Sequence, residues 1–389
     1  MQGQRSSAAF TIVVTLVMLI GAGVMSLVLL LSGAQGALVV GILLAAVPLA
    51  PLISVYMWLD RYEPEPRSLL VLGLGWGAFV ATSGALVLQL FDTVIFESDD
   101  TFTAAVVAPI TEEAAKGLFI LLLLFYRRHE LDGVLDGLVY AGMVGIGFAF
   151  TENILYLMSA YLGEDGQAGG ISGAVGLFIV RCIFSPFAHP FFTAFIGIGI
   201  GIAVGSPSRA VRILAPVLGY LVAVGAHAAW NGSLMLDDGR NAVATYVFLM
   251  VPAFLLLIGF AVWSRRREGK VLTTALGDCA QRGFLDPAEI PWLSRIPARR
   301  FARRYAEKVG GKTARRTMVA YQNEAVELGF LHSRYLRGVP PPDFAQIGQH
   351  HVERMRSLRP GLRWPQPTGD GRPVQMPVPR TGPGSGAPQ

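Results

Sequence analysis

Between residues 9 and 263 the sequence alternates long apolar runs with short polar stretches, and the runs are continuously apolar rather than alternating with a period of two. Runs of about 20 apolar residues predict membrane-crossing helices, whereas barrel strands would alternate. Eight such runs occur, at 9–32, 37–58, 68–91, 103–125, 136–162, 173–204, 211–235 and 242–263. The first exceeds the roughly 7–15 apolar residues of a cleavable signal, so it is expected to stay as an anchor. Past residue 263 the pattern changes: residues 264–338 read as a small helical unit. Residues 340–389 hold 11 of the chain's 24 prolines, a composition that cannot bury a core. The expected fold is all-α: a polytopic membrane protein of about eight transmembrane helices (1–263), a basic helical cytoplasmic region (264–338) and a Pro-rich disordered tail (339–389).

Charge sharpens this picture. Residues 1–263 carry 10 Lys/Arg against 17 Asp/Glu, net −7, while residues 264–389 carry 22 against 10, net +12. Only 15% of the chain is charged, below the roughly 25% usual for soluble domains. Arg5, Arg61 and Arg67, Arg127 and Arg128, Arg209 and Arg212, and Arg265–Arg267 fall in every second loop or terminus; the four loops between them hold one basic residue, Arg240. The positive-inside rule then expects a multi-pass protein of the cell membrane with both termini cytoplasmic. Cys182 and Cys279 lie in a span and in the tail, so no disulfide is expected. Gly197, Gly201 and Gly205 lie on one helix face; close helix packing is the better reading, because no strand precedes them as a nucleotide fingerprint requires.

Ionisable residues inside spans are costly and mark function. Here they are few: Glu112, Glu113 and Lys116 in the fourth span, Glu152 (beside Asn153) in the fifth, Arg181 and His189 in the sixth, and His227 (near Asn231) in the seventh. Glu112, Glu152 and His227 sit at similar depth, roughly 12–15 Å below the outer surface at 1.5 Å per residue. His189 joins that layer only if the sixth helix starts late or breaks near Ser185-Pro186. Each signal has a bland counterpart: an ion pair that fixes packing for Glu112, Glu113 and Lys116, interhelical hydrogen bonds for the others. Two adjacent carboxylates with one lysine leave a negative excess that packing alone does not need. Arg181 reads as structural, pairing with a carboxylate.

Such a cluster suits activation of water, with a buried carboxylate as general base or a divalent metal held by His and Glu, and with Asn231 and one histidine as oxyanion donors. No HExxH or GxSxG signature is present. The rival class is a proton- or ion-coupled transporter using the same cluster. It is disfavoured by the lack of internal repeats.

Four motifs in order carry a family resemblance: Glu112-Glu113-Ala-Ala-Lys116, Phe148 through Glu152-Asn153, His189-Pro-Phe-Phe192 and His227-Ala-Ala-Trp230-Asn231, with Asp60 through Pro66 as a further similar segment. The chain resembles the PrsW-type intramembrane proteases, within the wider group that includes the type II CAAX prenyl proteases, over about residues 40–263. The resemblance implies hydrolysis of peptide bonds in membrane-anchored proteins, such as an anti-sigma factor. It makes Glu112 the candidate base, with Glu113 held by Lys116, and Glu152, His189 and His227 the remaining water-activating or metal-binding groups. Asn231 becomes the oxyanion donor; Lys116, Asn153, Arg181 and Trp230 become supporting residues. A divalent metal, with Zn2+ the expected ion, and a metal-free glutamate mechanism both remain open. For the tail, Arg299, Arg300, Arg303, Arg304 and Lys308 predict a basic face for anionic lipid; no nucleic-acid motif is present.

Overall fold

The computed structural model describes residues 2–163, 169–235 and 240–365. Residues 366–389 of the expected disordered tail, and the centres of the acidic loops near 165 and 237, lie outside the described residues. The chain divides into two compact units, Met1–Arg265 and Arg266–Gln389.

Among the described residues every element is helical. The first unit contains α1 (Gln2–Leu31), α2 (Gln35–Leu59), α3 (Arg67–Phe96), α4 (Ala108–Tyr126), α5 (Val134–Leu162), α6 (Gly170–Val204), α7 (Arg209–Met235) and the beginning of α8 (Ala242–Gln281). Seven are long and apolar enough to cross a membrane; α4 is set apart by carrying Glu112, Glu113 and Lys116 within 19 residues. The fold is thus the all-α polytopic membrane protein that the apolar runs imply.

α5 is the central element. Leu138, Tyr140, Val144 and Phe148 are fully buried on it, against α2, α3 and α6. Leu19, Leu31, Phe91, Leu218 and Leu256 of the outer helices are exposed, as apolar side chains facing hydrocarbon should be. α5 and α6 approach closely at glycines. A Cβ on Gly197 would lie 2.1 Å from the Gly137 carbonyl oxygen, and one on Gly201 would lie 2.4 Å from that of Gly133. Two of the three glycines on that α6 face therefore serve helix packing. On α5 itself, a Cβ on Gly145 would meet Pro190 Cα at 2.7 Å, so glycine lets the His189-Pro190 turn sit against α5.

α6 is broken. It runs to Phe178, winds into a π-helical turn at Ile179–Phe184, bends at Ser185-Pro186 and resumes at Ala188. Proline lacks an N–H and disfavours helix in the residue before it, which accounts for the place of the break. Phe184 O, at the break, accepts from Tyr246 OH at 2.6 Å, and Ser185 Oγ adds a bond of 2.8 Å to Val180 O, which also accepts the Ser185 N–H. The break expected near Ser185-Pro186 is present, and it shortens the lower half of α6 so that His189 lies in its first turn.

The second unit is built from α9 (Ile290–Ser294), α10 (Ile296–Leu336) and α11 (Phe344–Leu358). α10 is two arms joined at Gly311, whose φ of 69° needs glycine. Two expectations are corrected here. The segment 339–389 is not disordered throughout, because α11 occupies a proline-free stretch between Pro342 and Pro360 and buries Val352 and Met355. Nor do the four arginines form one solvent face. Arg299 is buried and donates to the Leu293 carbonyl, and Arg303 Nε donates to Gln322 Oε1 at 2.6 Å, which leaves Arg300, Arg304 and Lys308 exposed.

Candidate active site

α4 delivers its three charged residues at i, i+1 and i+4, so all reach one side of the helix. Lys116 Nζ bonds Glu113 Oε1 at 2.8 Å and Glu112 Oε2 at 3.3 Å, and it lies 3.7 Å from the centroid of the Phe148 ring on α5. Glu113 is held from two more helices: Thr193 Oγ1 donates to Oε2 at 2.9 Å, and His227 Nδ1 lies 3.0 Å from Oε1. Both Glu113 oxygens are therefore taken. Glu113 and Lys116 are wholly buried, which such charges tolerate only when paired.

A second set surrounds Glu152 of α5. Its Oε2 accepts from Arg181 Nη2 and lies 2.7 Å from His189 Nε2, while Arg181 Nε donates to Asn153 Oδ1 at 2.7 Å and the guanidinium stacks on Tyr156. Arg181 thus pairs with a carboxylate, as its position in the sequence suggested. His189 links the two sets, since its other nitrogen, Nδ1, lies 3.1 Å from Lys116 Nζ. With a carboxylate on Nε2 and an ammonium on Nδ1, His189 donates through the first and accepts through the second. His227 donates through Nδ1 to Glu113, leaving the Nε2 lone pair on the side of Glu112 Oε2, 3.9 Å away. The ring of Phe192 stacks on His227 with centroids 4.6 Å apart and fixes its plane.

Not all ten residues face the same space. A cavity of about 680 Å³ opens between α3, α4, α5, α6 and α7. Glu112, Glu152, Asn153, Arg181, His189, Trp230 and Asn231 line it, whereas Glu113, Lys116 and His227 do not. Asn231 donates one amide hydrogen to the Ala104 carbonyl at 2.9 Å, bracing the turn that leads into α4.

For a metal, the structure groups Glu112, His189 and His227, which offer ligand atoms within 4.8 Å of one another. Glu112 stands where sequence reasoning put Glu152, whose Oε2 is already shared by Arg181 and His189. Two imidazoles and a carboxylate are a donor set suited to a divalent ion, so the residues fit; His189 would have to release Glu152 or Lys116 to join it.

Two contributors escaped the sequence reading. Thr193 lies four residues past His189, on the stripe already marked by Arg181 and Ser185, so helical spacing could have found it. Gln89 of α3 donates from Nε2 to Glu112 Oε1 at 3.3 Å; as a neutral residue it left no mark among ionisable groups.

The family described as PrsW family intramembrane metalloprotease matches residues 65–257. Proteins named Protease PrsW are similar: that of Oceanobacillus iheyensis is 24% identical over 224 residues (57% of this chain, 94% of the relative). That of Clostridioides difficile is 26% identical over 215 residues, covering 54% of this chain and 85% of the relative. The Geobacillus kaustophilus protein is 27% identical over 154 residues, and the match spans 40% of this chain and 62% of that protein. No solved structure matches the chain.

Proposed function

Residues 65–257 belong to the PrsW-type intramembrane protease family, and from that premise we propose that the chain hydrolyses peptide bonds of membrane-anchored protein substrates, an anti-sigma factor being one candidate. The observation that supports this most is the cavity with Glu112 and His189 on its wall and Glu113 and Lys116 behind it. Cleavage inside a membrane needs an enclosed, water-holding space beside a base, and such a space is available here.

In this reading Glu112 is the general base. Its hydrogen-bonding ties are the longer ones, 3.3 Å to Lys116 and to Gln89, so it is freer than Glu113 or Glu152 to take a proton from water. His227 Nε2 faces Glu112 Oε2 from behind the cavity wall at 3.9 Å, so it backs the base. As hydroxide attacks the peptide carbonyl, the second amide hydrogen of Asn231 and the Arg181 guanidinium lie on the cavity side to stabilise the oxyanion. Protonated Glu112 then gives its proton to the leaving amine as the C–N bond breaks. Glu113, Lys116 and Thr193 keep this geometry fixed. Glu112, His189 and His227 would hold a divalent ion such as Zn2+, which when bound acidifies water and polarises a carbonyl.

The alternating basic loops favour cytoplasmic termini, and Arg300, Arg304 and Lys308 favour anionic lipid as partner of the second unit. No observation favours the transporter alternative. The test is cleavage of tagged single-span substrates by purified protein. Glu112→Gln is expected to lower the rate by about 10³-fold and His227→Ala by about 10²-fold. Wild-type rates in both variants would sink the proposal. Loss of activity on chelation, restored by Zn2+, selects the metal mechanism; chelator-insensitive cleavage selects the glutamate mechanism.

A further inference from the structure

Gln89, on a helix with no ionisable residue in the membrane interior, lies on the cavity wall and donates to Glu112 Oε1 at 3.3 Å. Three residues on, Asp92 accepts from Ser98 Oγ at 3.2 Å and from Thr103 Oγ1 at 3.0 Å. Residues three apart share a helix face, so one face of α3 is tied at two points to the chain entering and forming α4. Glu112 Oε2 meanwhile faces Lys116 at 3.3 Å and His227 Nε2 at 3.9 Å. The terminal torsion of a glutamate is broad and roughly two-fold. A carboxylate held only through Oε2 can therefore swing, whereas one held at both oxygens has a fixed plane.

We infer that Gln89 is a positioning residue: its amide N–H sets the plane of the Glu112 carboxylate so that Oε2 stays turned toward Lys116, His227 and the reacting water. This rests on the reading of Glu112 as the base. Gln89 itself exchanges no proton, so its loss should slow turnover without weakening substrate capture.

The experiment uses the full-length protein and the tagged single-span substrate that wild type cleaves best. Gln89→Leu removes the donor, and Gln89→Met keeps the length of the side chain without any N–H. Gln89→His restores an N–H at similar reach. Leu and Met variants are expected to lose about 10-fold in kcat, with KM within about 2-fold of wild type. Substrate Kd, read by fluorescence anisotropy, and Tm should stay unchanged, and the His variant should recover part of kcat. Wild-type kcat in Gln89→Leu overturns the inference, as does full activity in Gln89→Met, since a donor is then not what the site needs. A matched fall in Tm and kcat overturns it too, by making Gln89 a packing residue. Glu112→Gln is run alongside. If it is inactive while Gln89→Leu is normal, only the positioning role fails; if it is active, the reading of Glu112 fails as well.

Discussion

Helix α5 carries a buried acid cluster at each end, and the two are built on opposite principles. Near Glu152 the carboxylates are matched by cations, Arg181 and Lys116, and by two imidazoles. Twelve residues earlier, Tyr140 OH donates to Glu65 Oε2 at 2.6 Å, and both Asp60 oxygens accept from the Glu65 backbone N–H at 3.1 Å. Asp136 of α5 adds a third acid there, accepting from the backbone N–H groups of Asp132 and Gly133. Asp60, Glu65 and Asp136 are all buried. Burial pushes the Asp60 carboxyl up to about 7, against the pull of the Glu65 N–H. Burial, helped by Asp136, Asp60 and Glu130, holds Glu65 well above the ordinary range against the pull of the Tyr140 hydroxyl. Burial alone therefore does not tell the two clusters apart. What distinguishes the Glu152 end is charge compensation beside a cavity.

The largest break in this contrast should come from removing the central cation. Lys116→Met leaves two adjacent buried carboxylates uncompensated and is expected to cost about 3–5 kcal/mol, read as loss of folded protein in detergent. A variant as stable as wild type would show that the lysine is dispensable for packing.

Next comes the pH response of the cation-poor end. Asp60 and Glu65 have folded values above their unfolded ones, near 3.8 and 4.5, so the folded chain keeps protons that the unfolded chain releases. This contribution to stability is full below about pH 4 and is lost as pH rises through about 7. Asp60→Asn, neutral throughout, should flatten the profile of Tm against pH over that window; an equally steep fall in the variant would refute the assignment. The smallest effect expected is that of Tyr140→Phe, about 1–3 kcal/mol from an unsatisfied Glu65 oxygen. Cleavage chemistry in that variant should be intact once it is folded.

Much of this was legible in the sequence for a physical reason: the bilayer demands long apolar runs, and against that background each buried charge stands out. The eight runs and the few ionisable residues within them follow from that contrast, whereas the four motifs around those residues rest on the family resemblance. Gln89 was not legible, because a neutral amide carries no such signal. The choice of Glu112 over Glu152 beside His189 and His227 was hidden as well, since it depends on Arg181 reaching across from α6. In the second unit the contrast disappears. There arginine serves both inside and outside, so Arg299 and Arg303 could not be told from Arg300 and Arg304, and a proline-rich average concealed α11.

The glycine at 145 has a consequence for anyone recoding this protein. A single methyl there would strike the backbone of Pro190, next to His189, although the position bears no functional group. A library that randomises only the polar residues would never sample it, while one that treats alanine as harmless would push Pro190 off α5 with every charged group intact. Tolerance to substitution in this core is set by backbone clearance as much as by chemistry, and the narrowest clearances deserve protection first.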